Sequence, residues 1–169
     1  MAPVNQMEGL PAPTPEMLAA VQNATTPKEI AEILTLSPHM KAMRLTFHSA
    51  ENEEVALRLP YDDRLIGYPD TGIIAGGAIY TLMDSTAGLS VMSRIGRLMP
   101  AATLDLRIDY LRPATPKRDV IGYATCYRLT REIAFVRGRA AHENSDQVIA
   151  HVAGTFALGP TQTSQPESR

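Results

Sequence analysis

Residues 76–93, Gly-Gly-Ala-Ile-Tyr-Thr-Leu-Met-Asp-Ser-Thr-Ala-Gly-Leu-Ser-Val-Met-Ser, carry one charge, Asp84, among apolar, small and hydroxylated neighbours. A carboxylate in such surroundings needs hydrogen-bond donors or takes up a proton, and one kept ionised in a dry pocket is a general base or a nucleophile. Spacing alone leaves it two places: that pocket, or the solvent side of its element beside Tyr80, Thr81 and Gly88. Apolar residues at 79, 82, 83, 87 and 91 give the segment the period of a helix, and Gly76 and Gly77 stand at its start. First-turn N–H groups have no partner within a helix, so a ligand carbonyl brought close over glycine could be polarised there. Glycines ahead of helices also serve plain turns. Together, a donor site and a carboxylate two turns on make this helix the candidate catalytic element.

Other chemistries find little support. Gly72, Gly76 and Gly77 lack the Gly-Lys-Ser/Thr ending of a phosphate-binding loop, and Gly88-Leu-Ser90 runs into Val91-Met92 rather than completing a nucleophile elbow. His39, His48, His142 and His151 form no i,i+4 pair and no ligand-like spacing with acids, so no metal is expected and the histidines read as surface or core-edge groups. Sixteen Lys+Arg against eighteen Asp+Glu leave a net charge of -2, which offers no cationic field to nucleic acid or to an anionic membrane. The candidate helix is too short and polar to span a bilayer. With one cysteine, Cys126, and no charged-then-apolar opening of the signal-peptide kind, a reducing cytoplasm is the expected compartment.

The elements that must position the helix are readable around it. The 169 residues, 44% hydrophobic and 20% charged, suffice for one core. Four prolines in the first fifteen residues mark 1–13 as a leader, and 160–169 have no aliphatic residue to bury, so the domain is expected over 14–159. Thr14-Pro15 and Thr26-Pro27 open two helices, the second with Glu29 at capping-box spacing and Ser37-Pro38 at its end; these N-terminal helices occupy 14–38 and the core 39–159. Met43, Leu45, Phe47 and Val55, Leu57, Leu59 alternate as a hairpin about a turn at 49–52. From Thr103 the period is two, with Leu104, Leu106, Ile108 and Tyr110 on one face and Thr103, Asp105, Arg107 and Asp109 on the other. Runs at 120–129, 133–142 and 147–158 follow with short connections, hence antiparallel neighbours. Two strands, a helix and four strands make an α+β domain in which one antiparallel sheet covers one buried helix.

Two stretches of the chain carry a family resemblance. The run Gly72-Ile-Ile-Ala-Gly76-Gly77-Ala-Ile-Tyr-Thr-Leu82-Met-Asp84-Ser-Thr-Ala resembles the central-helix motif of hotdog-fold thioesterases of the phenylacetate-pathway (PaaI-like) group. Thr103-Leu-Asp-Leu-Arg-Ile-Asp-Tyr-Leu-Arg-Pro-Ala is similar to the strand that follows it, and the likeness covers roughly 40–158. The resemblance implies a hotdog fold, acyl-CoA thioester hydrolysis without a cofactor, and a homodimer or dimer of dimers with its site between protomers. It implies Asp84 as catalytic base or nucleophile, Gly77 as the N–H donor to the thioester carbonyl, with Gly76 beside it, and Thr103 as a holder of the lytic water. Arg131 takes the position of a basic residue in the hairpin turn near the CoA phosphates, and Arg112, which precedes the proline at the mouth of the preceding strand, is a second substrate-binding candidate, although either also suits a solvated turn. Two departures stand out: the family's histidine is Ala75 here, and its asparagine falls near Pro69, which leaves Asp70 as a substitute or leaves a protein that binds acyl-CoA, or another apolar ligand, without turnover. Hydratase chemistry on this fold wants an Asp/His pair near the helix start, and no histidine is expected there. Met83, Met92 and Met99 suit core filling or an adaptable acyl tunnel.

Overall fold

The computed structural model describes residues 23–159. The expected leader, the helix start at Thr14-Pro15 and the tail lie outside the described residues. Thr26 caps α1 (Pro27–Leu34) in both directions: its hydroxyl accepts from the Glu29 N–H at 3.3 Å, and the Glu29 carboxylate accepts from the Thr26 N–H at 3.0 Å. The Thr26 and Thr25 N–H groups hold the Glu29 carboxyl below its ordinary range. Ser37-Pro38, expected to stop this helix, opens another. Ser37 accepts from the Met40 N–H and Pro38 takes the first position of α2 (Pro38–Ala42), where a missing N–H costs nothing. Helix therefore crosses the expected boundary at 38/39.

β1 (Thr46–Glu51) and β2 (Glu54–Leu59) meet in a tighter hairpin than expected. Asn52 and Glu53, with φ of 50° and 66°, form a two-residue turn, and the residues assigned to a 49–52 turn extend β1 to Glu51. Met43 and Leu45 are buried ahead of the strand. A small pair, β3 (Ile66–Tyr68) with β4 (Ile73–Ile74), is an addition to the expected elements; its turn holds Pro69 and Asp70, both exposed, and leads into α3 (Gly76–Ile95). α3 stops at Gly96, whose φ of 78° is the left-handed cap position. β5 (Ala101–Tyr110), β6 (Val120–Leu129), β7 (Ile133–Ala141) and β8 (Val148–Leu158) complete a six-stranded antiparallel sheet in the order β1-β2-β6-β7-β8-β5. This is the hotdog arrangement, a sheet packed around one long helix with short N-terminal helices added.

α3 packs chiefly across β6, β2 and β7 and only lightly on β5 and β8. The seat is a glycine notch: a Cβ on Gly122 would lie 2.8 Å from Thr86 Oγ1 and 3.0 Å from both Leu82 Cγ and Met83 Sδ, so helix and sheet meet where β6 has no side chain. Leu82, Met83, Ala87, Leu89 and Val91 are fully buried, and Met92 nearly so, which places Met83 and Met92 in core filling. The buried hydroxyls of Thr86 and Ser90 donate to Leu82 O and Ala87 O at 2.7 Å. Back-bonding of this kind explains how a helix so rich in hydroxyls can be wrapped by a sheet.

His142, 5% exposed, ties the loop after β5 to the sheet: its Nδ1 donates to Asp119 O at 2.7 Å and its Nε2 accepts from the Thr115 N–H at 2.9 Å. Its expected role as a core-edge histidine stands on those two bonds. Replacing it by Phe strands two backbone groups and is expected to cost about 2 kcal/mol, read as a lowered urea midpoint at unchanged slope.

Candidate active site

α3 leans towards β2 and β6 and packs only lightly on the edge strand β5, which makes a loosely packed seam, the groove, between its opposite flank and that strand. Three hydrogen bonds cross it. Tyr110 donates its phenol to Gly76 O at 2.6 Å, Tyr80 donates to Leu106 O at 3.2 Å, and the Thr103 hydroxyl donates to Asp84 Oδ1 at 2.8 Å. Helix and edge strand are thus held by polar bridges spaced along their length. Burial, then the neighbouring Tyr80, pushes the Tyr110 phenol above its ordinary pKa.

The bond from Thr103 depends on a defect in the strand. Strict alternation puts Thr103 with Asp105 and Arg107 on the face away from the helix, but a bulge between Thr103 and Asp105 inserts a residue into the register with β8. Leu104 is 58% exposed as a result, and Thr103 turns to the helix side together with Leu106 and Ile108. The face assignment of Thr103 and Leu104 is corrected accordingly. Asp84 is half-buried, and with Oδ1 occupied by Thr103 its Oδ2 is left for a water or a substrate.

At the head of α3, Ala75 is the N-cap and supplies no side-chain hydrogen bond. The Ala78 and Ile79 N–H groups reach back to Ala75 O at 3.0 and 3.4 Å, so the donors for an incoming oxygen are those of Gly76 and Gly77. The two glycines differ. A Cβ on Gly76 would sit 3.3 Å from the Tyr110 ring, whereas one on Gly77 would meet nothing within 4 Å. Space over Gly77 is therefore open to a ligand. Asp84 is seven positions after Gly77, about 10 Å along the axis and about 20° short of two turns, so both lie on one flank.

The two arginines are not brought together. The Arg112 N–H donates to Ile149 O at the start of β8, while Arg131 lies in the turn where the Leu158 N–H donates to Glu132 O at the end of β8. The strand rise puts about 30 Å between these points. Arg112 shares the Gly76 end of the groove and Arg131 the Asp84 end, both exposed.

A histidine does reach the helix start, contrary to expectation. Exposed His39, on α2, places Nε2 3.4 Å from Thr81 Oγ1, whose own proton goes to Gly77 O at 3.1 Å. Nε2 is accordingly the donor. His39 makes no ion pair with a carboxylate among the described residues, so the histidine is present without the Asp/His pair that a hydratase wants. Sequence reading also missed Tyr80 and Tyr110 as groove residues; the alternation that put Tyr110 on the Leu106 face was the available signal. Among the described residues no cluster of His, Cys, Asp or Glu is arranged to hold a metal, and no helix is long and apolar enough to cross a membrane.

The family model of the thioesterase superfamily matches residues 71–149, which include the whole of α3, Thr103 and both arginines. A solved Pseudomonas aeruginosa structure shares 43% identity with a TM-score of 0.68, over 75% of this chain and 94% of that one. The chain belongs to the thioesterase superfamily. The phenylacetic acid degradation protein PaaI of Thermus thermophilus, solved in a mutant form, shares 26% identity and a TM-score of 0.61 over 72% of this chain and 98% of its own. The medium/long-chain acyl-CoA thioesterase YigI of Escherichia coli is 27% identical over 135 residues, 72% of this chain and 86% of YigI. A Halobacterium salinarum protein, named only provisionally as an esterase, is 36% identical over 88 residues, and the match spans 57% of its length.

Proposed function

We propose that this chain is an acyl-CoA thioesterase that hydrolyses an acyl- or aryl-CoA, with Asp84 as general base or nucleophile. The observation that carries the reading is the 2.8 Å bond from Thr103 to Asp84, on the same groove flank as the open turn at Gly77. Membership in the thioesterase superfamily and likeness to an acyl-CoA thioesterase support thioester hydrolysis in general. In the base route, Asp84 Oδ2 takes a proton from water while the water oxygen bonds to the thioester carbon, and the Gly77 N–H receives the charge that gathers on the carbonyl oxygen. The C–S bond then breaks with its electron pair on sulfur, releasing CoA thiolate and the acid. In the nucleophile route Oδ2 attacks the carbon itself, the C–S bond breaks with CoA thiolate leaving, and water hydrolyses the resulting mixed anhydride to the acid and the free Asp84 carboxylate. Thr103 holds Asp84 and can accept from the same water. Thr103→Val is therefore expected to reduce turnover about tenfold, the loss of one hydrogen bond to a charged group, with KM little changed.

Since about 10 Å separates Gly77 from Asp84 on one helix, a second copy that brings its own helix alongside would let the donor of one chain face the carboxylate of the other. The unpaired outer edge of β5 offers such a copy a strand to join. We infer a homodimer, or a dimer of dimers, with two such shared sites, working in a reducing cytoplasm where buried Cys126 stays a thiol.

Ala75, which leaves the helix without a side-chain cap, favours the second reading, a protein that binds acyl-CoA or another apolar ligand without turnover. Incubating the full chain with an acyl-CoA and separating the products distinguishes the two. Free acid and free CoA in equal amounts support hydrolysis; intact ester retained on the protein supports binding alone and overturns it.

A further inference from the structure

The face of the sheet turned away from α3 carries a concavity that the groove chemistry does not use. On β6, Tyr123, Thr125 and Tyr127 project from that face, a small residue between two aromatic ones. Each tyrosine carries an arginine of β7. Arg139 lies over the Tyr123 ring at 4.3 Å and Arg137 over the Tyr127 ring at 5.7 Å. Thr125 is directly opposite Arg137, and His151 of β8 is directly opposite Arg139. The result is a cavity of about 330 Å³ lined by Glu54, Thr125, Arg137, Gly138, Arg139, His151 and Val152.

The charges in it are unequal. Glu54 binds Arg139 through both carboxylate oxygens and cancels it. Asp109, opposite His151 on β5, is taken by Arg107 at 3.0 Å. Arg137 has no carboxylate partner among the described residues, and neither the Thr125 hydroxyl nor the His151 ring has a hydrogen-bond partner among them. One whole guanidinium charge, its N–H fork, a hydroxyl and an imidazole therefore face one cavity unused. A guanidinium fork matches two oxygens of a planar or tetrahedral oxyanion, and stacking on Tyr127 pre-orders it, which lowers the entropy lost on binding.

We propose that this concavity binds an oxyanion of the carboxylate or phosphate-monoester class, held by the Arg137 guanidinium and the Thr125 hydroxyl, on the side of the sheet opposite the candidate active site. The site stands whether or not the groove hydrolyses thioesters. Only its ligand would link them, since a thioesterase releases both a carboxylate and a phosphate-bearing thiol.

Calorimetric titration of the full chain with inorganic phosphate and, separately, acetate, at matched ionic strength in chloride, tests it. Saturable binding of one anion per chain is expected. Arg137→Ala should weaken it at least about tenfold, the loss of one bidentate charge-assisted contact. Thr125→Val should weaken it several-fold, while Arg107→Ala, which removes the same charge from the same face outside the cavity, should leave it unchanged. Asp84→Asn should bind like the wild type, which separates this site from the groove. Preference for phosphate over acetate would assign the third oxygen to His151 or Thr125. Three results would overturn the proposal: no saturable binding of either anion, equal losses in Arg137→Ala and Arg107→Ala, or a change of sedimenting mass in Arg137→Ala, which would mean that a second copy covers this face.

Discussion

Asp84→Asn is expected to lower thiol release by about 10²- to 10⁴-fold, the range that a positioned general base supplies, while leaving the fold intact. Asparagine keeps the shape, and an oxygen at Oδ1 can still accept from Thr103, so the bridge between α3 and β5 survives. What is lost is the charge and basicity of the free oxygen. Because Asp84 is only half-buried, its neutral isostere leaves no orphaned ion behind, and the melting temperature should move little. The loss should fall on kcat rather than KM, since the carboxylate acts as the bond forms. A carboxylate that merely faced solvent would give an unchanged rate.

Leu82→Ala is expected to destabilise the protein by about 3 kcal/mol, within the range for a fully buried leucine, and to lower its melting temperature by about 6–12 °C. Leu82 is 0% exposed and sits where α3 touches β6 at Gly122. That seat has no side chain on the strand to move into the space, and the helix cannot settle closer because Thr86 Oγ1 and Met83 Sδ already meet the glycine. The cavity should persist, which places the cost above that of the transfer term alone. Calorimetric melting of the purified variant checks it; a shift of under about 2 °C would mean that the helix repacks freely on the sheet.

Much of this architecture was legible in the residues. Helical spacing at 79, 82, 83, 87 and 91 marks the wrapped helix because those side chains all point into one core, and the capping box at Thr26 and Glu29 marks α1 because both hydrogen bonds are local. Less legible features depend on contacts distant in sequence. The β5 bulge is visible only against β8, so alternation put Thr103 on the wrong face; the family resemblance implied it as a holder of the lytic water, and its bond to Asp84 is seen only in the structure. Ser37-Pro38 reads equally well as a stop or a start, and the structure uses it as a start. His39 and Thr81 lie 42 residues apart, so no periodic signal could join them. Likewise, the Tyr110 to Gly76 bond spans 34 residues, and it holds the turn from which the donor groups project.

Thiol release from short-chain, long-chain and aromatic CoA esters, run with wild type and Asp84→Asn at equal concentrations of folded protein, is the most direct test of Asp84 as the centre of a thioesterase. At least one ester should be cleaved by the wild type at a rate proportional to enzyme, with that rate lost in the variant. Equal rates in the two proteins, or no release from any ester by the wild type, would contradict it.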